Sequence, residues 1–374
     1  MATRRGFGRG FLGGLMFCSC GMLDAAHAQQ ALPRSQAEEG VAKLPIMVAG
    51  QRVRTVDTHA HCLFQEALDL IGPAGARAAL PDTKGVTEHF VGAEGAGAAQ
   101  RLAMMDRMGV DMQVLSINPF WYRADRDTAA KIVAINNARL SDLCREYPDR
   151  FRAFACLTMQ DPALAVQQLD DAVRKQGLVG AAIGASMLGE SYADPKYNPV
   201  WAKAEELGVT IFIHPQGTPE LVKRFAGNGW LLNTVGNPLD TTIALQHFIF
   251  EGVLETYPRL KLLAAHGGGY LGSYADRSDH ACFVSPQNCN TTVALSKRPS
   301  AYLNQIYFDS LVFTPEALRH LVAQVGVSQV VLGTDAPIPW ELHPVDHVMM
   351  TPMGDTDRAA ILGGNAARLF GLSA

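Results

Sequence analysis

The sequence has little net charge and no run of basic residues. Only 18% of its 374 residues are charged, and the formal net charge is −4 at pH 7. A balance this mild gives no reason to expect a nucleic-acid partner. Apolar residues make up 48% of the chain, which excludes a disordered protein and indicates a globular one. Small molecules are therefore the expected partners.

Cysteines are too scattered to form a disulfide framework. Beyond the N-terminal segment they number five, which is an odd set. This distribution favours core or surface thiols, although the last two could pair in an oxidising compartment. The five are Cys62, Cys144, Cys156, Cys282 and Cys289.

The sequence offers no stable membrane anchor. Its N-terminal apolar stretch, Phe11–Leu23, is too short and too rich in glycine to span a bilayer. The pair Arg4-Arg5 precedes it, and Ala26-His27-Ala28 supplies a small-x-small cleavage pattern. We therefore expect residues 1–28 to be an export signal of the twin-arginine type, with a periplasmic destination. An ordinary secretory signal with a basic start is the alternative.

Internal repeats and low-complexity tracts are also absent. After a polar leader over residues 29–50, strand-like and helix-like segments alternate to the end of the chain. Eight short apolar strands, each followed by a helix, predict a parallel sheet closed into an α/β (β/α)8 TIM-type barrel over residues 51–374. Insertions are expected after strand 1 (63–95), strand 5 (215–236) and helix 6 (279–304). The predicted strands are Arg52–Asp57, Met112–Ile117, Phe151–Leu157, Val179–Gly184, Val209–Ile213, Leu260–Ala265, Gln305–Asp309 and Gln329–Gly333.

Histidines and one aspartate fall at the ends of several of these strands. His59 and His61 close strand 1, and residues i and i+2 of a strand project to the same face. His214 ends strand 5, His266 ends strand 6 and Asp335 ends strand 8. In a closed barrel the C-terminal strand ends converge on one mouth, where the active sites of barrel enzymes lie. A single strand-end histidine is more often structural, but several gathered without a cation would be desolvated with no compensation.

The donor set indicates a divalent metal held by His59, His61, His214 and Asp335. Imidazole nitrogens with one carboxylate suit Zn2+ best, although Fe, Mn or Co would also fit. Such an ion lowers the pKa of its bound water to about 7. A second ion would need an acidic or lysine-derived ligand, usually from strand 4, and the Ala182–Ser186 segment has neither. One metal per chain is therefore expected.

His266 is interpreted as an acid or base and not as a ligand. It precedes Gly267-Gly268-Gly269, a backbone that can approach a ligand closely. An imidazole can exchange a proton with the metal-bound water near neutral pH. A fourth nitrogen ligand is the competing interpretation.

These motifs together resemble the metal-dependent decarboxylase branch of the amidohydrolase superfamily, known as the amidohydrolase-2 branch. The resemblance runs from about Val53 to Leu372 and includes Asp309–Phe313 and Gly364–Ala366. It implies a zinc held by three histidines and one aspartate, a water activated by the strand-6 histidine, and non-oxidative loss of CO2. It also implies a homodimer in which an arginine of the neighbouring subunit binds a substrate carboxylate.

Three further residues enter only through the resemblance. The arginine of the family matches Arg277, and a tryptophan that contacts the substrate ring matches Trp230. A second carboxylate-binding arginine of the family has no counterpart, because no arginine occurs from Ala78 to Gln100. His89 lies in that neighbourhood and could carry a weaker version of the role.

The preferred hypothesis is decarboxylation of an aromatic or unsaturated carboxylic acid, with His266 and Asp335 as catalytic residues. The alternative is hydrolysis of a lactone, amide or ester on the same site, because a fold does not fix a function. A zinc-binding protein without activity is the third possibility, and it would leave no coordination position open.

Overall fold

Eight parallel strands form a barrel in the computed structural model, which describes residues 44–79, 96–289, 293–340 and 343–372. Strands β1–β3 form one sheet and β4–β8 another. Parallel bridges join them between Ala155 and Ala181 and between Ala60 and Ala336, so the two sheets close on each other. The expected (β/α)8 fold is confirmed. In chain order the strands are Val56–His61 (β1), Met112–Ser116 (β2), Phe151–Ala153 (β3), Gly180–Ile183 (β4), Thr210–Ile213 (β5), Lys261–Ala264 (β6), Ile306–Asp309 (β7) and Val330–Val331 (β8).

Helices follow the strands and cover the barrel. Several begin with a proline in the first turn and an acidic or hydroxyl N-cap, as at Asp161 and Thr314. None in the described part of the chain is long and apolar enough to cross a membrane. The helices are Gln65–Asp69 (α1), Gly72–Ala79 (α2), Ala96–Met108 (α3), Arg126–Glu146 (α4), Pro162–Arg174 (α5), Asn198–Leu207 (α6), Asn237–Phe250 (α7), Val253–Thr256 (α8), Leu271–Val284 (α9), Pro315–Val325 (α10), Asp346–Met350 (α11), Asp355–Ala359 (α12) and Asn365–Phe370 (α13).

Two apolar cores hold these layers together. The larger one packs the helices against the barrel wall. The smaller one gathers side chains from strands on opposite sides of the barrel, where Phe154 stacks on Phe212 with ring centroids 5.4 Å apart. Phe212 also meets His59 edge-on at 5.1 Å. The small core therefore forms the floor beneath the histidines.

Several sequence-based boundaries differ in the structure. The first strand is Val56–His61 and not Arg52–Asp57, so both histidines belong to the strand itself. The helix expected from Leu239 to Tyr257 is broken at Gly252, whose φ of 76° is left-handed. The insertion expected from residue 279 starts later, because α9 continues to Val284.

The expectation for the last two cysteines is wrong. Cys282 and Cys289 form a disulfide with Cα atoms 5.2 Å apart, which joins the last turn of α9 to the segment after it. The other described cysteines, Cys62, Cys144 and Cys156, are not disulfide-bonded. Spacing alone could not decide this, because the fold of the seven-residue segment determines whether the two Cβ atoms face each other.

Candidate metal centre

Four side chains, two from β1 and one each from the loops after β5 and β8, meet at the C-terminal mouth of the barrel. Their potential ligand atoms all lie within 4.8 Å of one another, and all four residues are buried. Oδ1 of Asp335 lies 2.9 Å from Nε2 of His61 and 3.2 Å from Nε2 of His59. The ring of His214 completes the group, 4.5 Å from the ring of His61. The four residues are the ones predicted as ligands: His59, His61, His214 and Asp335. The described residues contain no second cluster of this kind.

Hydrogen bonds outside the cluster fix which nitrogen of each β1 histidine faces inward. Nδ1 of His59 lies 2.6 Å from the Asp309 carboxylate and donates to it. Nδ1 of His61 lies 2.9 Å from the Ser116 hydroxyl, which itself donates to the Ala60 carbonyl. These contacts leave the Nε2 atom of each ring facing the cluster, where the two atoms lie only 3.0 Å apart.

This arrangement fits a bound cation. Nε2 of His59, Nε2 of His61 and Oδ1 of Asp335 lie within 3.2 Å of one another. His214 is buried, and neither of its ring nitrogens has a hydrogen-bond partner among the described residues. A buried polar atom without a partner is costly, and a divalent ion would satisfy all of these atoms together. The residues present therefore suit the metal that the sequence motifs predict.

The electrostatics of the cluster also favour a cation. Burial lowers the pKa of His61 to about 4 despite the attraction of Asp335. Burial and the neighbouring imidazoles hold the pKa of His214 well below its ordinary value. Burial would lower the pKa of His59 as well, but Asp335 and Asp309 raise it to about 10. In the metal-free cluster the lowered pKa of His61 and of His214 leaves both imidazoles neutral, whereas His59 carries a proton that a metal ion would displace.

His266 lies beside the cluster but is turned differently. Its Nε2 is 3.8 Å from Oδ2 of Asp335, the oxygen that does not face the β1 histidines. Its Nδ1 is buried, with no hydrogen-bond partner in the part of the chain that the structure describes. The backbone bends sharply here: His266 has a φ of 55°, and a Cβ on Gly269 would lie 2.0 Å from the Pro238 carbonyl oxygen. The glycine run thus lets the chain place His266 at the edge of the site.

Asp309 is the most important residue that the sequence analysis did not assign. Its Oδ2 accepts from the His59 ring and from the His266 backbone N–H, and its Oδ1 accepts from the N–H of Gly267. Burial would raise the pKa of Asp309, but the His59 hydrogen bond lowers it below its usual value. One carboxylate therefore orients a predicted ligand and the predicted acid or base. In the sequence, only the position of Asp309 at the end of β7 indicates a role at the barrel mouth. Its hydrogen-bond partners lie elsewhere in the chain, so the sequence alone does not reveal them.

Asp57 ties two ligand-bearing segments together. Its Oδ1 accepts from the backbone N–H groups of His59 and Thr334, both at 3.1 Å. Its Oδ2 accepts from the Thr334 hydroxyl at 2.6 Å and from Gln113 at 2.9 Å. Burial raises the pKa of Asp57 to about 6. This carboxylate holds β1 and the end of β8 in register.

Of the three residues predicted to contact substrate, the structure places Trp230 near the cluster. The ring of Trp230 stacks on Trp340, and Trp340 donates a hydrogen bond to Asp335, so Trp230 lies near the site. Arg277 is exposed on α9 and has no ion pair within the described residues. His89 lies outside the described residues, so its role stays a prediction.

A cavity of about 720 Å³ opens on the same face of the barrel. Loops after β1, β2, β4 and β5 line it, and Pro215 and Gln216 of this lining directly follow His214. Its volume is in the range of small-molecule sites. Arg123, which also lines it, has no ion pair within the described residues. The cavity is large enough for a small molecule, and it adjoins the segment after His214 without being lined by the four cluster side chains themselves.

A (β/α)8 barrel with imidazole and carboxylate donors at its C-terminal mouth defines a metal-dependent barrel enzyme. Residues 56–372 match the model of the amidohydrolase family, and the chain belongs to that family. It is 34% identical over 277 residues to a 2-amino-3-carboxymuconate-6-semialdehyde decarboxylase of Dictyostelium discoideum, which covers 73% of this chain and 76% of the relative. It is 31% identical over 290 residues to a gamma-resorcylate decarboxylase of Rhizobium radiobacter, with 73% and 86% covered.

A solved structure gives the same picture. The dihydroxybenzoic acid decarboxylase of Polaromonas sp. JS666, crystallised with manganese and the inhibitor 2-nitroresorcinol, superposes with a TM-score of 0.73 at 26% identity. The match covers 86% of this chain and 97% of that one. The sequence-based assignment to the amidohydrolase-2 branch is thereby confirmed.

Proposed function

We propose that this protein is a metal-dependent, non-oxidative decarboxylase of an aromatic or unsaturated carboxylic acid. The observation that carries the proposal is the buried ligand cluster with His266 at its edge, 3.8 Å from Asp335. The decarboxylases among its relatives support the same activity. Hydrolysis on the same cluster is the alternative that the experiment below separates.

The reaction replaces a carboxylate by hydrogen. A proton adds to the carbon that bears the carboxylate, the bond to that carboxylate breaks, and its electron pair returns to the conjugated system as CO2 leaves. A proton donor must therefore stand close to the substrate without being a ligand. His266 meets this requirement, since its Nε2 faces the site and Asp309 holds its backbone. Asp335 is proposed to hold the metal and to exchange a proton with His266.

The ion would be held by His59, His61, His214 and Asp335. When bound, it would supply a Lewis acid and a water of lowered pKa. We propose zinc, because three imidazoles and one carboxylate match its preferences. Manganese, present in the Polaromonas relative, is the principal rival. The chemistry described for His266 does not depend on which of the two is resident.

Substrate binding is assigned to the cavity and the aromatic rim. The cavity beside His214 would accept a small carboxylic acid. Trp230 is proposed to contact the ring of the acid, and Arg277 to bind a carboxylate across a subunit interface through paired, charged hydrogen bonds. The place of His89 as a weaker anion contact rests on the sequence resemblance alone.

Release of CO2 is the test of the proposed function. We expect the metal-loaded protein to release CO2 from at least one member of a panel of hydroxybenzoic and conjugated unsaturated acids. In D2O the product should carry one deuterium at the carbon that lost the carboxylate. Chelated protein is the control and should release none. Hydrolysis of lactones, amides or esters, without CO2 from any acid, would contradict the proposal and favour the alternative.

A homodimer is proposed from the surface of α9. Phe283 and Val284 are 86% and 80% exposed, and they lie on the helix that carries Arg277. Burying such side chains contributes about 1.5–3 kcal/mol each. We expect a mass of two chains by sedimentation, and Phe283→Asp should raise the dimer dissociation constant at least about tenfold. Met350→Asp, at an exposed position on α11, is the control and should leave the dimer dissociation constant unchanged. A wild-type protein that is monomeric at all concentrations would contradict the dimer.

Export through the twin-arginine route to the periplasm is proposed from the N-terminal segment. The disulfide between Cys282 and Cys289 supports it, because such bonds persist in oxidising compartments. We expect protein isolated from its source to begin near Gln29. An intact mass that includes Met1–Ala28 would contradict export.

A further inference from the structure

Trp340 links the metal cluster to the aromatic rim. It lies five residues after Asp335, in a turn that the bonds from Ile338 N–H to the Asp335 carbonyl and from Trp340 N–H to the Ile338 carbonyl hold closed. Its indole N–H donates to Oδ2 of Asp335 at 2.8 Å. The side chain is partly buried, so the ring has one protected and one accessible part.

The two oxygens of the Asp335 carboxylate have different partners. Oδ1 faces the two β1 histidines at 2.9 and 3.2 Å, whereas Oδ2 is held by the indole. A carboxylate with one oxygen fixed by a donor cannot rotate freely, so its other oxygen stays directed at the histidines. Donors that orient a ligand in this way typically change metal affinity by 10–100-fold when removed.

The same indole is the centre of an aromatic group drawn from three loops. Trp230, after β5, stacks on it with centroids 5.6 Å apart and planes 27° apart. Phe313, after β7, meets it edge-on at 5.7 Å. Trp230 and Phe313 are 41% and 43% exposed, and both have left-handed backbones, with φ of 49° and 65°. Strained backbones that present large rings to solvent beside a buried ion site indicate a surface built for a ligand.

We propose that Trp340 has two tasks: it positions Asp335 through its N–H, and its ring forms, with Trp230 and Phe313, a platform that selects planar conjugated acids over saturated ones. Contact between two aromatic rings contributes about 0.5–1.5 kcal/mol beyond buried area, and a saturated ring has no π-system to make this additional contact. The inference rests on the proposed function only in taking a carboxylic acid as the ligand.

Two substitutions separate the tasks. Trp340→Phe keeps a ring but removes the N–H, and Trp340→Leu removes both. Trp230→Phe is the matched control, because the same chemical change there removes no hydrogen bond to the cluster within the described residues. Circular dichroism and thermal unfolding would establish that each variant is folded. Metal affinity is measured by chelator competition, and ligand affinity by calorimetry with benzoate and cyclohexanecarboxylate, which share charge and carbon count.

We expect Trp340→Phe to weaken metal binding about 10-fold or more, with the preference for benzoate kept within about twofold. Trp230→Phe should leave metal affinity unchanged. Trp340→Leu should weaken metal binding equally and lower the benzoate preference about 2–10-fold, the size of a lost ring contact. Once a substrate is known, Trp340→Phe should lower kcat more than it raises KM.

Two results would overturn the inference. One is a Trp340→Phe protein that binds metal as tightly as the wild type. The other is a benzoate preference that is missing from the wild type or unaltered in Trp340→Leu. Neither measurement requires turnover, so a failure to release CO2 from any acid would count against the proposed function and not against this assignment.

Discussion

Exchange of His214 for alanine is expected to remove the bound metal and to lower kcat/KM by at least about a thousandfold, since the ion supplies several kcal/mol of transition-state stabilisation. His214 is the most informative of the predicted ligands, because its two buried nitrogens have no hydrogen-bond partner within the described segments. Its removal takes two unsatisfied polar atoms from the core of the metal-free protein. The apoprotein of this variant should therefore fold, and loss of activity would not reflect unfolding.

The measurement is metal content per chain together with turnover. The wild-type protein should carry one equivalent, and His214→Ala should carry much less than one after dialysis. His320→Ala is the matched control, because His320 is exposed on α10, away from the cluster, and its ring is hydrogen-bonded to Ser273. A His214→Ala protein that still holds one equivalent with unchanged affinity would show that His214 is not a ligand. Two equivalents in the wild type would contradict the single-metal site.

Exchange of His266 for asparagine is expected to lower kcat by about 10²–10⁴-fold while the protein keeps its metal, because general acid or base catalysis is worth that much. Asparagine is the suitable replacement at this position. His266 has a φ of 55°, and asparagine tolerates a left-handed backbone better than most residues. The backbone N–H that donates to Asp309 is also kept, so the His59 hydrogen bond should survive.

Kinetics and metal analysis on the same preparation separate the two interpretations of His266. A residue that moves a proton should affect kcat and leave metal content at the wild-type value. His320→Asn serves as the control for the same chemical change at the surface. If His266→Asn loses its metal, His266 is a fourth nitrogen ligand, and another group must deliver the proton to the substrate carbon.

The disulfide is a feature that the local sequence could not predict. Cys282 and Cys289 are seven residues apart, and nothing in that spacing distinguishes a pair from two free thiols. The α9 helix had been expected to give way to a loop from residue 279, yet it continues to Val284 and brings the two sulfurs together. A bond between side chains depends on the path of the backbone between them, which composition does not encode.

The sequence predicted the residues around the substrate only in part. Trp230 entered by resemblance, and the structure places it against Trp340. Nothing in the sequence around Trp340 indicates a functional role, because a tryptophan after a strand can equally be a packing residue. Only the turn after Asp335 shows that its indole N–H reaches the carboxylate.

The sequence by itself determined the barrel and the residues at its mouth. Strand and helix periodicities are local, and a strand places His59 and His61 on one face whatever surrounds them. Closure of eight strands then brings His214 and Asp335 to the same rim. The bonds of Asp309, Ser116, Asp57 and Trp340 to the cluster were decided only by the tertiary structure. Each joins residues whose separation is set by strand register and loop path, and those are properties of the packed whole.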